Sequence, residues 1–394
     1  MNKDLLNIDV QNFINDNLNV DIPSLSLKKS PFPFITSREL AEQIDSKKRS
    51  EHKLPLWFRT PGIYYPQKLA IEQASSEIAA RYKLNLIEGD DIIDLTGGFG
   101  VDTCFFARKA KNVTHCERDG ELSDISKYNS VIFDIKINYQ PLDGIEYIRS
   151  TDKTYSTIYI DPSRRVNSKK VFLLKDCEPN IISNLALLRG RSAFLMIKTA
   201  PLLDIHSTIN ELKEVSNVHI ISIKNECKEV LYLIEKQNCG NDPLIICALI
   251  STEETSTYSF KSSEERNFVI SNYSDPLNFI YVPDVALLKA GCFKLITRDF
   301  DIHKIQQHTH LYTSNKLNSL FPGRKFKLIR AWNYGDFIKE KGFKKANIIC
   351  RNFPLSPEKL KNKLKIMDGG EEYLLFCKNK NNVHIVLHCN LILI

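Results

Sequence analysis

Short apolar runs alternate with helical segments between residues 91 and 236, and this alternation constrains the fold more than any other feature of the sequence. Strand-like runs separated by helices indicate βαβ units and a parallel sheet covered by helices on both faces. The last two runs are joined by only Lys224-Asn225-Glu226, and so short a link permits only an antiparallel hairpin. The sequence therefore predicts an α/β fold whose sheet is parallel except for its last strand. The predicted strands are Ile92–Leu95, Val113–Cys116, Ser156–Ile160, Ala193–Ile197, Val218–Ile223 and Glu229–Ile234.

A glycine-rich loop follows the first predicted strand and precedes a helix that begins near Val101. Glycines let the backbone turn sharply and approach a ligand, and the free N–H groups at the helix start face the bound molecule. An acidic residue with glycines four and six positions later is the usual spacing for S-adenosylmethionine. A dinucleotide fingerprint would need glycine at position 103, which is Thr. A plain structural turn is the alternative. The residues expected to contact the cofactor are Asp94, Thr96 (in place of a common glycine), Gly97, Gly98, Phe99, Gly100 and Asp102.

Two acidic residues follow the next strands at intervals that suit the same cofactor. Glu117 ends the second strand, where a carboxylate can accept hydrogen bonds from ribose hydroxyls. Asp143 follows the third strand region, where a carboxylate can accept from the adenine amino group. Taken singly, Glu117 is equally compatible with a surface charge and Asp143 with a helix cap. Together with the loop and the antiparallel hairpin, they predict a class I methyltransferase domain with a Rossmann-like sheet.

The candidate catalytic residues stand at the ends of the fourth and fifth strands. The fourth strand runs into Asp161-Pro162-Ser163-Arg164-Arg165. Amino-group methyltransferases have Asp or Asn here, followed by two prolines and an aromatic residue, so Asp161 and Pro162 are retained and the rest is replaced. Arg164 and Arg165 can instead bind phosphate or carboxylate oxygens, or lie in solvent on a surface turn.

Lys198 ends the fifth strand, on the sheet edge where such folds bind ligands. A lysine that simply reaches solvent is the alternative. The predicted catalytic set is therefore Asp161, Pro162, Arg164 and Lys198.

Positive charge is concentrated in one part of this 394-residue chain. The net charge is +7, and residues 322–380 contain 15 Lys and Arg against 6 Asp and Glu. Such a basic segment is typical of a nucleic-acid-binding module, and a solvated lysine-rich surface is the alternative. Because the sequence has neither a long apolar run nor a basic-then-apolar start, we expect a cytoplasmic protein without a membrane segment.

The cysteines and histidines do not form a metal-binding pattern. Ten cysteines occur without a Cys-x-x-Cys pair, and several lie in apolar runs where a thiol behaves as a small hydrophobic group. His308 and His310 are close in sequence, yet no Cys or carboxylate cluster accompanies them. We therefore expect no metal.

The segments outside the α/β core are less regular. Residues 1–63 are predicted to be helical, because Thr36-Ser37-Arg38-Glu39 is a capping box that starts a helix extending to about Lys53. A second helix is expected to begin near Pro66 and to continue through Tyr82. Residues 237–280 are polar and poorly patterned, and we expect an irregular extension. The remainder suggests small α+β domains, including a helix that Gly291 ends.

With these motifs considered together, the chain from about residue 50 to 375 resembles a family of bacterial class I methyltransferase-like proteins with a ferredoxin-like and a C-terminal THUMP-like domain. The resemblance implies S-adenosylmethionine as cofactor, with Gln73, Ser75 and Ser76 lining its pocket. It also implies a methyltransferase domain over 64–236, a ferredoxin-like domain over 281–323 and a THUMP-like domain over 325–394. THUMP domains proper bind structured RNA, so it implies an RNA partner, tRNA or rRNA, for the basic C-terminal domain. The stretches that carry the resemblance include Glu72–Glu77, Asp94–Thr103, Asp161–Arg165, Lys175–Asn180, Asn225–Glu229, Leu288–Gly291, Phe321–Arg324 and Arg351–Pro354.

Three functional hypotheses follow. The leading one is methylation of an RNA base or amino group by direct SN2 transfer, in which the protein mainly positions two reactants and Cys177 is not required. The second is an RNA-binding protein whose methyltransferase fold is catalytically silent. The third is a methyltransferase of a small molecule or a protein, with the basic domain serving assembly. The joint retention of the expected site residues argues against decay of the site: Asp94, Gly98, Gly100, Glu117 and Asp161.

Overall fold

The computed structural model describes residues 1–163, 173–236, 242–251, 254–340 and 342–393, together with the backbone of Arg165–Val166 and Lys169–Lys170. The chain forms two compact units. The first contains Met1–Ser216 and Leu231–Asn241, and the second contains Asn217–Val230 and Asp242–Ile394. No helix in the described ranges combines the length and the apolar composition needed to cross a bilayer.

The helices are α1 Ile8–Asp16, α2 Ile22–Leu27, α3 Ser37–Lys53, α4 Pro55–Arg59, α5 Lys68–Gln73, α6 Glu77–Leu84, α7 Val101–Phe106, α8 Gly120–Ile132, α9 Gly144–Ser150, α10 Ile181–Arg191, α11 Ile205–Leu212, α12 Ser262–Asn267, α13 Val285–Ala290, α14 Leu295–Asp299, α15 Tyr334–Glu340 and α16 Pro357–Leu364. Two short 3₁₀ helices cover Lys3–Leu6 and Leu174–Asp176. The strands are β1 Asp91–Asp94, β2 Asn112–Cys116, β3 Asn138–Gln140, β4 Tyr155–Ile160, β5 Arg165–Val166, β6 Lys169–Lys170, β7 Ser192–Thr199, β8 Asn217–Ile223, β9 Glu226–Glu235, β10 Leu244–Ile250, β11 Thr255–Lys261, β12 Phe279–Pro283, β13 His303–Gln306, β14 Thr309–Ser314, β15 Gly323–Asn333, β16 Asn347–Cys350, β17 Glu372–Lys378 and β18 His384–Ile392.

The N-terminal helices behave as predicted with one exception. The capping box at α3 is formed: the Thr36 hydroxyl accepts the Glu39 N–H, and the Glu39 carboxylate accepts the Thr36 N–H. The helix predicted from Pro66 through Tyr82 is wrong in its continuity, because α5 ends at Gln73 and α6 begins at Glu77. Ser76 is extended and caps α6 by accepting the Ala79 N–H. A serine that can satisfy a helix start locally favours this break over a continuous helix.

The first unit contains the predicted parallel sheet. Its strands lie in the order β9-β7-β4-β1-β2-β3, with the second half of β9 in this unit. The pairs β1–β2, β1–β4, β2–β3 and β4–β7 are parallel. Most residues of β1, β2, β4 and β7 are buried, as expected of parallel strands covered on both faces.

The second unit begins with the predicted hairpin. Lys224 and Asn225 both have positive φ, 52° and 60°, which is the conformation of a two-residue type I′ turn and makes β8 and the start of β9 antiparallel. In sheet order β8 is followed by β10, parallel to it, and then by antiparallel β11. The prediction of an irregular extension over 237–280 is therefore wrong for Leu244–Ile250, which is an apolar strand. The polar segment that follows this strand made the whole region look unpatterned in the sequence. The hairpin is not the edge of the sheet.

The remaining strands of the second unit form a seven-stranded sheet in the order β13-β14-β12-β15-β18-β17-β16. It combines strands of both predicted small domains, because β12 pairs with β14 on one side and with β15 on the other. One of its apolar clusters includes Ile280, Phe326, Leu375 and Leu387. A second cluster contains Phe337 of α15 and Leu360 of α16. Gly291 ends α13 with φ 74°, as predicted.

Candidate functional site

Asp94 anchors the glycine-rich loop to the end of β1. The side chain is buried, and its two oxygens accept the Thr96 N–H at 3.0 Å and the Thr103 hydroxyl at 2.7 Å. Burial raises the pKa of Asp94 to about 7, although the hydrogen bond from Thr103 opposes the shift. Asp94 thus joins the start of the loop to the first turn of α7.

The three glycines of the loop are required for two different reasons, close packing and backbone conformation. A Cβ at Gly97 would lie 2.2 Å from His115 Nε2, and one at Gly100 would lie 2.0 Å from Ser126 Oγ. These two glycines let the loop pack against β2 and α8. Gly98 has φ +54°, and the nearest atom to a Cβ placed there is the Thr96 carbonyl oxygen at 3.9 Å. Gly98 therefore needs glycine for its backbone conformation, and the space beside it is open.

His115, which the sequence did not single out, lies fully buried beneath the loop. Burial lowers the pKa of His115 to about 4, so the ring is neutral at physiological pH. Phe99 also faces inward: it is 3% exposed and packs against Trp57, with ring centroids 6.3 Å apart. Its side chain belongs to the core, and its expected contact with the cofactor stays a prediction.

Glu117 reaches the loop, and its expected contact with the ribose stays a prediction. Its carboxylate accepts the Gly98 N–H and the Asp119 N–H, each at 2.8 Å. Asp143 caps α9 by accepting the N–H groups of Ile145 and Glu146 at 2.8 and 3.1 Å. The helix-cap alternative for Asp143 is therefore observed, and its contact with adenine stays a prediction.

A buried ionic network, missed by the sequence analysis, supports the first turn of α7. Lys83 is fully buried, and its Nζ lies 2.9 and 3.0 Å from the two carboxylate oxygens of Asp102. The hydroxyls of Ser75 and Tyr159 donate to the same carboxylate at 2.7 and 2.8 Å. Burial acts most strongly and raises the pKa of Asp102, but the charges of Lys83 and Lys198 and the hydrogen bonds from Lys83 and Ser75 together outweigh it, so the pKa is lowered overall.

This network includes two predicted pocket residues. Ser75 and Asp102 are buried and use their polar atoms within the network, so they support the loop, and their expected contact with the cofactor stays a prediction. Ser76 caps α6, and Gln73 is exposed at the end of α5. Lys83 had a weak sequence signal, since it follows Ala79 and Ala80 at helical spacing on the buried side of α6.

The strand ends bring Asp161 and Lys198 together. Lys198 Nζ donates to Asp161 Oδ2, and Lys198 is only 7% exposed. The alternative in which Lys198 reaches solvent is therefore wrong. The Asp161 N–H donates to the Thr96 hydroxyl at 2.7 Å. Thr96, which replaces a common glycine, thus ties the end of β4 directly to the cofactor loop.

The segment after Asp161 is held by a second set of contacts. Pro162 is buried, and Ser163 exchanges backbone hydrogen bonds of 2.7 and 2.9 Å with Glu178. The Glu178 carboxylate accepts from Arg118, next to Glu117, at 2.5 Å. The buried Cys177 thiol points to the Leu173 carbonyl. Arg164 and the side chain of Arg165 lie outside the described residues, so their predicted roles stay predictions. Among the residues with described side chains, no group of three or more His, Cys, Asp or Glu is arranged to hold a metal ion.

Comparison with known proteins agrees with this architecture. Residues 279–322 match a model of a ferredoxin-like domain, and residues 325–391 match a THUMP domain-like model. The crystal structure of a protein from Porphyromonas gingivalis W83, which carries a provisional methyltransferase name, covers 99% of both chains with a TM-score of 0.88 and 28% identity. The chain is a class I methyltransferase-fold protein with ferredoxin-like and THUMP-like domains.

A curated relative matches a smaller part of this methyltransferase-fold protein. An uncharacterized RNA methyltransferase of Mycoplasma mobile is 28% identical over 134 residues, which are 32% of this chain and 36% of that protein. The chain therefore spans about a third of the length of the curated relative that it matches.

Proposed function

We propose that the protein is an S-adenosylmethionine-dependent methyltransferase that acts on RNA by direct methyl transfer. The observation that carries the proposal is the hydrogen bond between Thr96 of the glycine-rich loop and Asp161 of the neighbouring strand end. It joins the candidate cofactor loop to the candidate acceptor residue at the carboxyl edge of a parallel sheet, which is where such folds bind ligands.

The residues at the loop fit the cofactor. Gly98 leaves open space at the point where a ligand would approach the backbone. Each carboxylate oxygen of Glu117 accepts one backbone N–H, and a carboxylate oxygen has a second lone pair. Glu117 can therefore hold the loop and accept ribose hydroxyls at the same time.

The pair of Asp161 and Lys198 suits an acceptor that carries an N–H group. When bound, S-adenosylmethionine supplies a methyl group on a positively charged sulfur, and in-line transfer to the acceptor lone pair makes the new bond as the C–S bond breaks. The buried Lys198 ammonium stabilises the charged form of Asp161 and fixes its orientation. An acceptor N–H that donates to Asp161 is thereby aligned for attack, and positioning of this kind is the main contribution the chain has to make.

RNA is the proposed substrate because three observations favour it. Residues 322–380 carry 15 Lys and Arg against 6 Asp and Glu, which suits binding to a phosphate backbone. The same region matches the THUMP domain-like model, and the Mycoplasma mobile relative is named an RNA methyltransferase. We propose a structured RNA, tRNA or rRNA, as the substrate.

Incubation of the purified protein with S-adenosylmethionine labelled on its methyl group and with total RNA, followed by filter binding, tests the proposal. Label should enter RNA, and Asp161→Ala should reduce turnover by roughly 100-fold or more while leaving cofactor affinity unchanged in calorimetry, because the acceptor contact acts mainly in the transition state. Asp90→Ala, at an exposed ion pair with Lys111 in the same unit, is the matched control. Label that enters a protein or a small molecule instead of RNA would refute the substrate, and wild-type turnover by Asp161→Ala would refute the role of Asp161.

A further inference from the structure

A cleft in the THUMP-like domain is not accounted for by methyl transfer. It lies between β15, the end of α15 and β18 and has a volume of about 320 Å³. Its walls include Arg330, Trp332, Phe337, Glu340, Phe343 and His388. Although it is small, the cleft brings a flat cation, several aromatic rings and a carboxylate together.

The side chains of the cleft are ordered by contacts with one another. The Arg330 guanidinium lies over the Trp332 ring, 4.7 Å from its centroid, and donates to the Glu340 carboxylate at 2.6 Å. His388 is nearly parallel to Trp332 at 6.2 Å and 22°. Phe343 meets Trp332 edge-on at 6.3 Å. Arg330 is thus held between the Trp332 ring and the Glu340 carboxylate, and its side chain is 57% exposed.

We infer that this cleft binds one unpaired nucleobase of the RNA, an inference that rests on the proposed function. Unpaired bases are recognised by stacking on aromatic rings and on arginine guanidinium planes, and the guanidinium of Arg330 offers such a plane. The carboxylate of Glu340 can accept from a base amino group. A cleft of this volume admits a single base and excludes a duplex.

Charge around the cleft favours a nucleic acid over other flat ligands. Lys339 on α15 and Lys344 just after Phe343 are exposed beside its walls. They lie in the segment that carries most of the excess positive charge of the chain. The phosphates that flank a base bound in the cleft would therefore lie near these lysines. An uncharged aromatic ligand would gain nothing from the same cations.

The chain has two tryptophans, and this makes the inference directly testable. Trp57 is fully buried in the first unit, whereas Trp332 lines the cleft. Emission of Trp332 is followed in the wild type and in Trp57→Phe during titration with a single-stranded pentaribonucleotide. A second pentamer with abasic ribose at its three central positions keeps the same phosphates. Fluorescence anisotropy of end-labelled pentamers measures binding at any site.

The intact pentamer should quench Trp332 saturably and bind about 5-fold to 150-fold more tightly than the abasic one, the range for stacking of a base on an aromatic side chain. Arg330→Lys keeps the charge but lacks the flat guanidinium, so it should reduce this preference and leave abasic binding unchanged. Lys359→Gln, an exposed charge on α16 outside the cleft walls, should weaken both pentamers equally.

Equal affinity for the two pentamers, or RNA binding that leaves Trp332 emission unchanged, would overturn the inference even if RNA is still methylated. If neither pentamer nor total RNA binds, while the labelled methyl group is transferred to another acceptor, the proposed RNA substrate fails and the cleft inference fails with it.

Discussion

Replacement of Lys83 by methionine tests how the glycine-rich loop is supported. Lys83 is fully buried, with its ammonium 2.9 and 3.0 Å from the two oxygens of Asp102. Methionine retains most of the length and apolar volume of lysine but removes the charge. The variant therefore leaves the Asp102 carboxylate in the core with the Ser75 and Tyr159 hydroxyls as its donors among the described residues, and with the charge of Lys198 nearby.

The expected loss of stability follows from the balance of attraction and desolvation. Two unit charges at this distance attract by about 6 kcal/mol at an effective dielectric constant of about 20. Desolvation of both ions offsets much of this gain, but removal of one partner alone leaves an uncompensated buried charge and typically costs about 3–5 kcal/mol. Because a whole domain is commonly stable by about 5–15 kcal/mol, Lys83→Met should bring the first unit close to unfolding.

The loss should depend on pH in a defined direction. In the wild type Lys83 lowers the pKa of Asp102 despite burial, so the stabilisation is present above the unfolded pKa of about 3.9 and is lost only as pH falls through the lower folded pKa. Without Lys83, burial raises the pKa of Asp102, and the variant loses stability as pH rises through that value. The difference in unfolding free energy should therefore be largest near pH 7 and smaller near pH 4.

Urea unfolding followed by Trp57 emission, in a Trp332→Phe background, measures the effect. Trp57 reports on the relevant core, since its ring lies 6.3 Å from that of Phe105 in α7. Lys111→Met is the matched control, because it removes a lysine that is 78% exposed and paired with Asp90, and a solvent-exposed ion pair contributes little to stability.

The double variant Lys83→Met/Asp102→Leu should recover much of the stability, since an apolar pair can replace a buried ion pair at little cost. A loss no larger than that of Lys111→Met, or no recovery in the double variant, would refute a charge-based role for the network.

Three further predictions concern the loop, its acid and the basic helix. Gly98→Val should weaken binding of S-adenosylhomocysteine at least 10-fold in calorimetry, while circular dichroism shows a folded chain. The reason is that a branched side chain at φ +54° is strained and fills the open side of the loop. Unchanged affinity would show that Gly98 is not part of the site. Since burial raises the pKa of Asp94 to about 7, this group should lower the unfolding free energy as pH rises from about 4 to 7, by up to about 1.4 kcal/mol per pH unit. Asp94→Asn should therefore flatten the dependence of the unfolding free energy on pH. An unaltered dependence in urea titrations at several pH values would contradict this assignment. Charge reversal of the exposed lysines of α16 and its cap, Lys359, Lys363 and Lys365, should weaken RNA binding. The fall in log affinity per tenfold rise in salt should become smaller by roughly 0.7 for each lost contact with single-stranded RNA. Equal salt slopes for the variant and the wild type in anisotropy would show that the helix is merely solvated.

The sequence was sufficient for the parts of the site that lie on single strands and their following loops. Parallel strands end at one edge of a sheet, so residues that follow successive strands can be expected to meet there. This argument placed Glu117 at the same sheet edge as the glycine-rich loop, and the structure adds that it accepts the Gly98 N–H. It also placed Asp161 and Lys198 at the same edge.

The contacts that depend on which elements become neighbours could not be predicted. Lys83 meets Asp102 only because α6 packs on α7, and no local pattern encodes that pairing. Lys198 at the end of an apolar strand was compatible with solvent or with burial, and only the adjacency of β4 and β7 decides between them. Strand β10 was missed for a different reason. The run Leu244–Ile250 is itself apolar, but it lies within a segment that is polar overall, and the composition of that segment favoured an irregular structure.

The position of β18 in the seven-stranded sheet has a consequence for synthesis of the chain. β18 follows every other described strand in sequence, yet it lies between β15 and β17 and pairs with both. During translation, β15 and β17 leave the ribosome before β18. One edge of each strand therefore stays unpaired until residues 384–392 have left the exit tunnel. β15 and β17 therefore gain their shared neighbour only after residues 384–392 have been made, and until then each exposes an unpaired strand edge of the kind that pairs with other chains and that chaperones protect.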